Sequence, residues 1–224
     1  MLKSVIFDMD GVLINSEPLH FLGFVRTLEQ WNKKLTYEEY KGYIGTTNAV
    51  INEGLIRQFS LPVTPEKFNE IMRVHRAEIY AEKGYHPIDG VKEMLESLYQ
   101  AGFTMAVASS SPYENIVRAV GEMGLSSYFE KLVSGENVEH PKPAPDVFLK
   151  AARELGRKPE ECLVVEDSCH GVHAAKRAGM PSLGFINPDS GDQDLSCATG
   201  LTKDFRQVNA GLVQGIYDTW IKGR

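Results

Sequence analysis

Two aspartates, Asp8 and Asp10, stand two residues apart directly after the apolar run Ser4-Val5-Ile6-Phe7. Three further polar groups follow similar runs or lie in loops beside them: Ser109-Ser110-Ser111-Pro112, Pro141-Lys142-Pro143 and Glu166-Asp167-Ser168. Each alone has a plain structural reading. Asp-x-Asp-Gly after a strand makes a turn with Asx hydrogen bonds, Ser-Ser-Ser-Pro makes a helix N-cap, and a single lysine is ordinarily solvated. Together, in this order and at one sheet edge, they point to a reaction centre.

The chemistry follows from the residue types. Converging carboxylates repel one another and their pKa values rise. A divalent cation resolves that conflict, and an all-oxygen site suits Mg²⁺. The same cation neutralises phosphate, so that an anionic nucleophile can approach an anionic substrate. On this reading Asp8 attacks phosphorus and forms an aspartyl-phosphate. Asp10 protonates the leaving oxygen and then deprotonates the attacking water. Ser109, with Ser110 beside it, hydrogen-bonds the transferring phosphoryl group, and Lys142 supplies a point charge to phosphate and nucleophile. Asp167 completes the metal site, with Glu166 beside it either as a ligand or as support for one.

These residues need a parallel sheet to bring them together, because the carboxyl ends of parallel strands face one crevice. Short, continuously apolar runs at Ser4–Phe7, Phe103–Ala108, Lys131–Val133, Cys162–Val165 and Pro181–Phe185 read as strands covered on both faces. Between them Val91, Met94, Leu95 and Leu98, and likewise Phe148, Ala151, Ala152 and Leu155, repeat with helical period. The alternation predicts an α/β fold with helices on both sides of the sheet. The segment Asn187 to Gly200 reads as a loop, and Asn209 to Trp220 as a closing helix.

One stretch breaks the alternation. From Glu17 to Tyr85 the pattern is helical throughout, with stripes at Phe21, Phe24, Val25 and Leu28 and at Phe68, Ile71, Met72, His75 and Ile79. Pro62, Pro65 and the Gly45-Thr46-Thr47 segment punctuate it. The expected organisation is a core of residues 1–16 and 86–224 interrupted by an all-helical domain at 17–85.

Bulk properties set the remaining bounds. The 224 residues carry a net charge of -6, which argues against a nucleic-acid partner, whose phosphates call for a basic face. Three cysteines, Cys162, Cys169 and Cys197, lack C-x-x-C spacing and read as reduced thiols. No apolar run is long enough to span a bilayer, and no leader-like segment opens the chain. A cytoplasmic location, no membrane association and a monomeric state are the expectations.

The motifs Phe7-Asp8-Met9-Asp10-Gly11-Val12-Leu13, Ala108-Ser109-Ser110-Ser111, Pro141-Lys142-Pro143-Ala144-Pro145-Asp146 and Val165-Glu166-Asp167-Ser168 with Gly171 resemble the haloacid dehalogenase superfamily. The branch they are most similar to is the β-phosphoglucomutase-like phosphatases, which carry a helical cap inserted after the first motif. The resemblance implies a Rossmann-like core, Mg²⁺, the roles given above and the Asp10 backbone carbonyl as a metal ligand. It also implies a small phosphorylated metabolite, foremost a sugar phosphate, as substrate.

Departures bear on the choice between hydrolysis and a hexose phosphate mutase. Asn15 replaces the aspartate usual before Ser16-Glu17, and Asn48 falls near the position of a phosphate-binding cap arginine in the mutases. Arg57, Arg73 or Arg76 could substitute. His20 matches a histidine that assists proton transfer in the mutases, which keeps that alternative open. Thr47, Asn48, His20 and Arg76 are therefore the expected substrate-side residues of the helical domain. His75, on an apolar stripe, reads as a hydrogen-bonded core residue, and Cys169 as structural. A non-catalytic phosphometabolite sensor on the same fold is disfavoured by the intact Asp8, Asp10, Lys142 and Asp167.

Overall fold

The computed structural model describes residues 1–44 and 46–223. Gly45, part of the punctuation noted above, and Arg224 lie outside the described residues.

Strands β1 (Ser4–Phe7), β2 (Thr104–Ser109), β3 (Lys131–Ser134), β4 (Cys162–Glu166), β5 (Ser182–Phe185) and β6 (Gly200–Thr202) form a sheet in the order β3-β2-β1-β4-β5-β6. Every pairing is parallel. The two central neighbours, β1 and β4, are buried at every position, as continuously apolar strands covered on both faces require. Ile6, Ala106, Ala108 and Val164 pack in one cluster with Val147, Phe148, Ala151, Ala174 and Ala175. The latter belong to α7 (Asp146–Glu154) and α8 (Cys169–Arg177), which follow α5 (Val91–Gln100) and α6 (Tyr113–Glu122) and precede the closing α9 (Ala210–Lys222). Each large side chain so buried contributes about 1.5–3 kcal/mol relative to exposure. The five strands expected from apolar runs are all present, β1 with the expected bounds and the others with ends differing by at most one residue. The sixth emerges at the end of the segment read as a loop. It has three residues, and its one large apolar side chain, Leu201, is exposed, so no run announces it.

The chain divides into two compact units: Met1–Asn15, His86–Pro188 and Asp192–Arg224 in one, Ser16–Tyr85 and Asp189–Gly191 in the other. The second is helical, with α1 (Glu17–Glu29), α2 (Tyr37–Lys41), α3 (Asn48–Phe59) and α4 (Pro65–Lys83). Thr36, Thr47 and Thr64 cap α2, α3 and α4 by accepting backbone N–H groups, which satisfies donors a helix start leaves orphaned. Phe24, Leu28, Tyr40, Leu55, Phe68 and Met72 fill this unit's own core. Arg26 donates to both carboxylate oxygens of Glu82 at 2.8 Å, tying α1 to α4.

Candidate active site

The carboxyl ends of β1, β2 and β4 deliver the motif residues to one edge of the core sheet. Asp8 immediately follows β1, and its N–H donates to the Val165 carbonyl of β4 at 3.0 Å. The chain then turns at Gly11, where φ is +80°, a conformation that favours glycine. Gly11 N–H donates to the Ile14 carbonyl at 2.7 Å, and the buried Asn187 donates from Nδ2 to the Gly11 carbonyl at 2.9 Å. A Cβ at Gly11 would collide with the Asp167 carboxylate. The turn after β1 thus lies directly against the acidic loop after β4.

Lys142 comes from the loop between β3 and α7. Its Nζ donates to Asp8 Oδ1 at 2.6 Å and to Glu166 Oε1 at 2.8 Å, and sits 4.7 Å from the centre of the Phe148 ring. Glu166 Oε2 accepts from Ser168 N–H at 2.7 Å and from Ser168 Oγ at 2.9 Å. Ser168 also caps α8, accepting from Gly171 N–H at 3.0 Å. Gly171 is bare for a steric reason: a Cβ there would overlap the Glu166 carboxylate. Both Glu166 oxygens are therefore engaged inside the protein, one of them by the lysine.

One ammonium faces an excess of carboxylate. Burial foremost, with Lys142 opposing it and Glu166 and Asp10 adding to it, leaves the Asp8 pKa raised to about 7. Burial disfavours the Lys142 ammonium, yet Asp8 and Glu166 outweigh it and hold the group above its ordinary range. The lysine thus stays charged, shared between two carboxylates, and the site as a whole retains a surplus of negative charge. Among the described residues no three His, Cys, Asp or Glu side chains converge closely enough to hold a metal by themselves. A cation bound here would take further oxygen ligands beyond the carboxylates.

A chain of serines lies at the ends of β2 and β3. Ser109 and Ser134 are paired across the two strands. Ser109 Oγ accepts from Ser111 N–H at 3.0 Å, which leaves the Ser109 hydroxyl its own proton to donate. Ser134 Oγ donates to the Ser111 carbonyl at 2.7 Å. The Ser111 hydroxyl donates to Asp10 Oδ2 at 2.9 Å.

Asp8, Asp10, Ser109, Lys142, Glu166 and Asp167 all belong to the core unit. Ser110 is there too, exposed beside Ser109. His20, Thr47, Asn48 and Arg76 are carried by the helical unit. Within it Thr47 and Asn48 are exposed at the start of α3, and Gly23 of α1 allows close approach of the Arg76 backbone and Cβ. His20 Nε2 lies 3.2 Å from the Tyr80 hydroxyl, and its Nδ1 lies 3.9 Å from Glu17. Burial raises the Glu17 pKa, but His20 and Tyr40 more than reverse that and hold it below the usual range. His75 lies within hydrogen-bonding distance of Thr27 Oγ1 at 3.1 Å and Gln30 Nε2 at 3.2 Å, so it is hydrogen-bonded as expected, but it is half-buried rather than part of the core. Sequence reasoning gave no role to Ser111 or Asn187. Ser111 was visible only as one hydroxyl in a run of three, and Asn187 as a loop residue far along the chain.

Comparison with known proteins agrees with the motifs. The family model described as haloacid dehalogenase-like hydrolase matches residues 5–185. A phosphorylated carbohydrates phosphatase of Thermotoga maritima is 31% identical over 182 residues, covering 81% of this chain and 84% of that protein. The pyrophosphatase PpaX of Halalkalibacterium halodurans is 32% identical over 183 residues, covering 80% of this chain and 81% of its own. A crystal structure from Thermotoga maritima, described provisionally as a β-phosphoglucomutase, superposes with a TM-score of 0.81 at 28% identity, covering 95% of this chain and 99% of that one. With its parallel sheet, its four motifs at one sheet edge and a family match over most of its length, this chain belongs to the haloacid dehalogenase-like hydrolases.

Proposed function

We propose that this hydrolase is a Mg²⁺-dependent phosphatase of small phosphomonoesters, sugar phosphates foremost, acting in two steps through phospho-Asp8. The observation that carries the reading is the buried Lys142, held on Asp8 and Glu166 at once. That arrangement keeps a carboxylate nucleophile oriented beside a fixed positive charge, which is what attack on an anionic phosphoryl group requires.

Asp8 forms its bond to phosphorus as the ester P–O bond breaks. Asp10 gives a proton to the departing oxygen, then takes one from the water that displaces Asp8 and releases inorganic phosphate. Ser109 donates its hydroxyl proton to a phosphoryl oxygen, and Lys142 offsets charge on the same group. Glu166, with both oxygens engaged, orients Lys142 rather than binding a cation. The remaining donors fit a hard cation, because carboxylate and carbonyl oxygens are the ligands Mg²⁺ prefers. Asp8, Asp167 and the Asp10 backbone carbonyl would hold it, and when bound it supplies the positive charge that the surplus of carboxylates and an incoming phosphate both call for. His20, Thr47, Asn48 and Arg76 are the proposed determinants of substrate choice. The sugar phosphate assignment draws support from the carbohydrate phosphatase relative. The uncharged Asn48 favours hydrolysis over a mutase.

Phosphate release from a panel of sugar phosphates, nucleotides and small phosphoacids tests the reading. Release that stops with chelator and in Asp8→Asn is the expected result. Conversion of a hexose phosphate to its isomer, with no phosphate released from any compound, would overturn hydrolysis in favour of the mutase.

A further inference from the structure

The geometry points to Ser111 as a positioning residue for the acid–base step, acting through Asp10; this rests on the phosphatase reading above. Three bonds define Ser111. Its N–H donates to Ser109 Oγ at 3.0 Å, its carbonyl accepts from Ser134 Oγ at 2.7 Å, and its hydroxyl donates to Asp10 Oδ2 at 2.9 Å. Ser134 is fixed in turn, since its Oγ accepts from Glu136 N–H at 3.0 Å. Ser109 and Ser134 are buried at 1% and 8% exposure and sit opposite one another at the ends of two paired strands. The backbone of Ser111 is thus clamped to the sheet from both sides, and its hydroxyl is presented to Asp10 from a rigid mount.

Asp10 needs such a mount. It lies past the end of β1, half-exposed, where a short carboxylate can rotate. Its function in the proposed reaction depends on one oxygen standing in line with the ester oxygen. The bond from Ser111 commits Oδ2 and assigns proton exchange to Oδ1. In the first step the ester P–O bond breaks as Asp8 bonds to phosphorus, and the proton on Asp10 Oδ1 passes to the departing oxygen. In the second, a water proton returns to Oδ1 as water bonds to phosphorus and the Asp8–phosphorus bond breaks. Ser111 exchanges no proton in either step. Misplacement of a catalytic group by an ångström costs about 100-fold, so loss of the mount has a measurable effect.

Leaving-group dependence separates positioning of Asp10 from general damage. An alkyl phosphate needs its leaving oxygen protonated; a dinitrophenyl phosphate, whose leaving group is a stable anion, does not. The experiment compares kcat/KM of wild type, Ser111→Ala and Ser111→Thr on a sugar phosphate and on dinitrophenyl phosphate, with Mg²⁺ present. Ser111→Ala is expected to lose about 10- to 100-fold on the sugar phosphate and to keep dinitrophenyl phosphate hydrolysis within about threefold. Ser111→Thr, which retains the hydroxyl, is expected to recover most of the loss. An equal fall on both substrates, or no fall on either, would overturn the assignment while leaving the phosphatase reading in place. A wild-type protein that hydrolyses neither substrate would overturn that reading and this one together.

Discussion

Lys142 Nζ lies 2.8 Å from Glu166 Oε1, and the other Glu166 oxygen is taken twice by Ser168. Glu166 is 1% exposed and Asp8 is 7% exposed, so the lysine is the charge that allows two carboxylates to be buried side by side. Removing one partner of such a pair is costly because it strands the other. Lys142→Met should abolish phosphate release and lower unfolding free energy by about 3–5 kcal/mol at pH 8. The deficit should shrink at pH 5, where Asp8, whose pKa is raised to about 7, takes up a proton. Urea unfolding at the two pH values measures both; an unchanged midpoint at pH 8 would mean that the buried carboxylates do not depend on the lysine.

Asp8 makes a prediction of its own about pH. Its pKa is raised from 3.8 to about 7, first by burial. Between those values the folded protein holds a proton that the unfolded chain has lost, so the stability Asp8 contributes falls as pH rises through this window. Asp8→Asn carries no such proton, and Lys142 keeps Glu166 as a partner. In chelator, therefore, the melting temperature of Asp8→Asn should exceed that of wild type by a few degrees at pH 8, and the gap should close toward pH 5. A gap that widens on acidification would reverse the sign and contradict a raised Asp8 pKa.

Gly11 tests the acidic loop. A side chain there meets both an unfavourable φ of +80° and the Asp167 carboxylate. Gly11→Ala should cost about 1–3 kcal/mol of stability and weaken Mg²⁺ binding by displacing Asp167. Calorimetric titration of Mg²⁺ into wild type and variant reads the second effect directly. Equal affinity in the two proteins would remove Asp167 from the proposed ligand set.

Much of this was legible in the residues. The runs ending at Phe7, Ala108 and Val165 are uninterrupted apolar segments, so the sequence alone puts their polar successors Asp8, Ser109 and Asp167 at strand ends. The helical stripes of Phe24 and Leu28 and of Phe68 and Met72 likewise mark the core of the second unit. Three features were not legible, each for a physical reason. β6 is too short to have a period. The engagement of both Glu166 oxygens depends on a lysine 24 residues away and a serine 2 residues away, a convergence that only the fold creates. Ser111 acquires its bond to Asp10 across 101 residues of sequence, and nothing in a run of three serines distinguishes the one that reaches it.

In the proposed mechanism Asp8 carries the phosphoryl group. Mixing enzyme, Mg²⁺ and a hydrolysed sugar phosphate, quenching in acid and reducing with borohydride converts an aspartyl-phosphate into homoserine, which peptide mass spectrometry locates. Homoserine is expected at position 8, dependent on substrate and absent with chelator. Turnover with no modification at Asp8, or modification at another carboxylate instead, would contradict it.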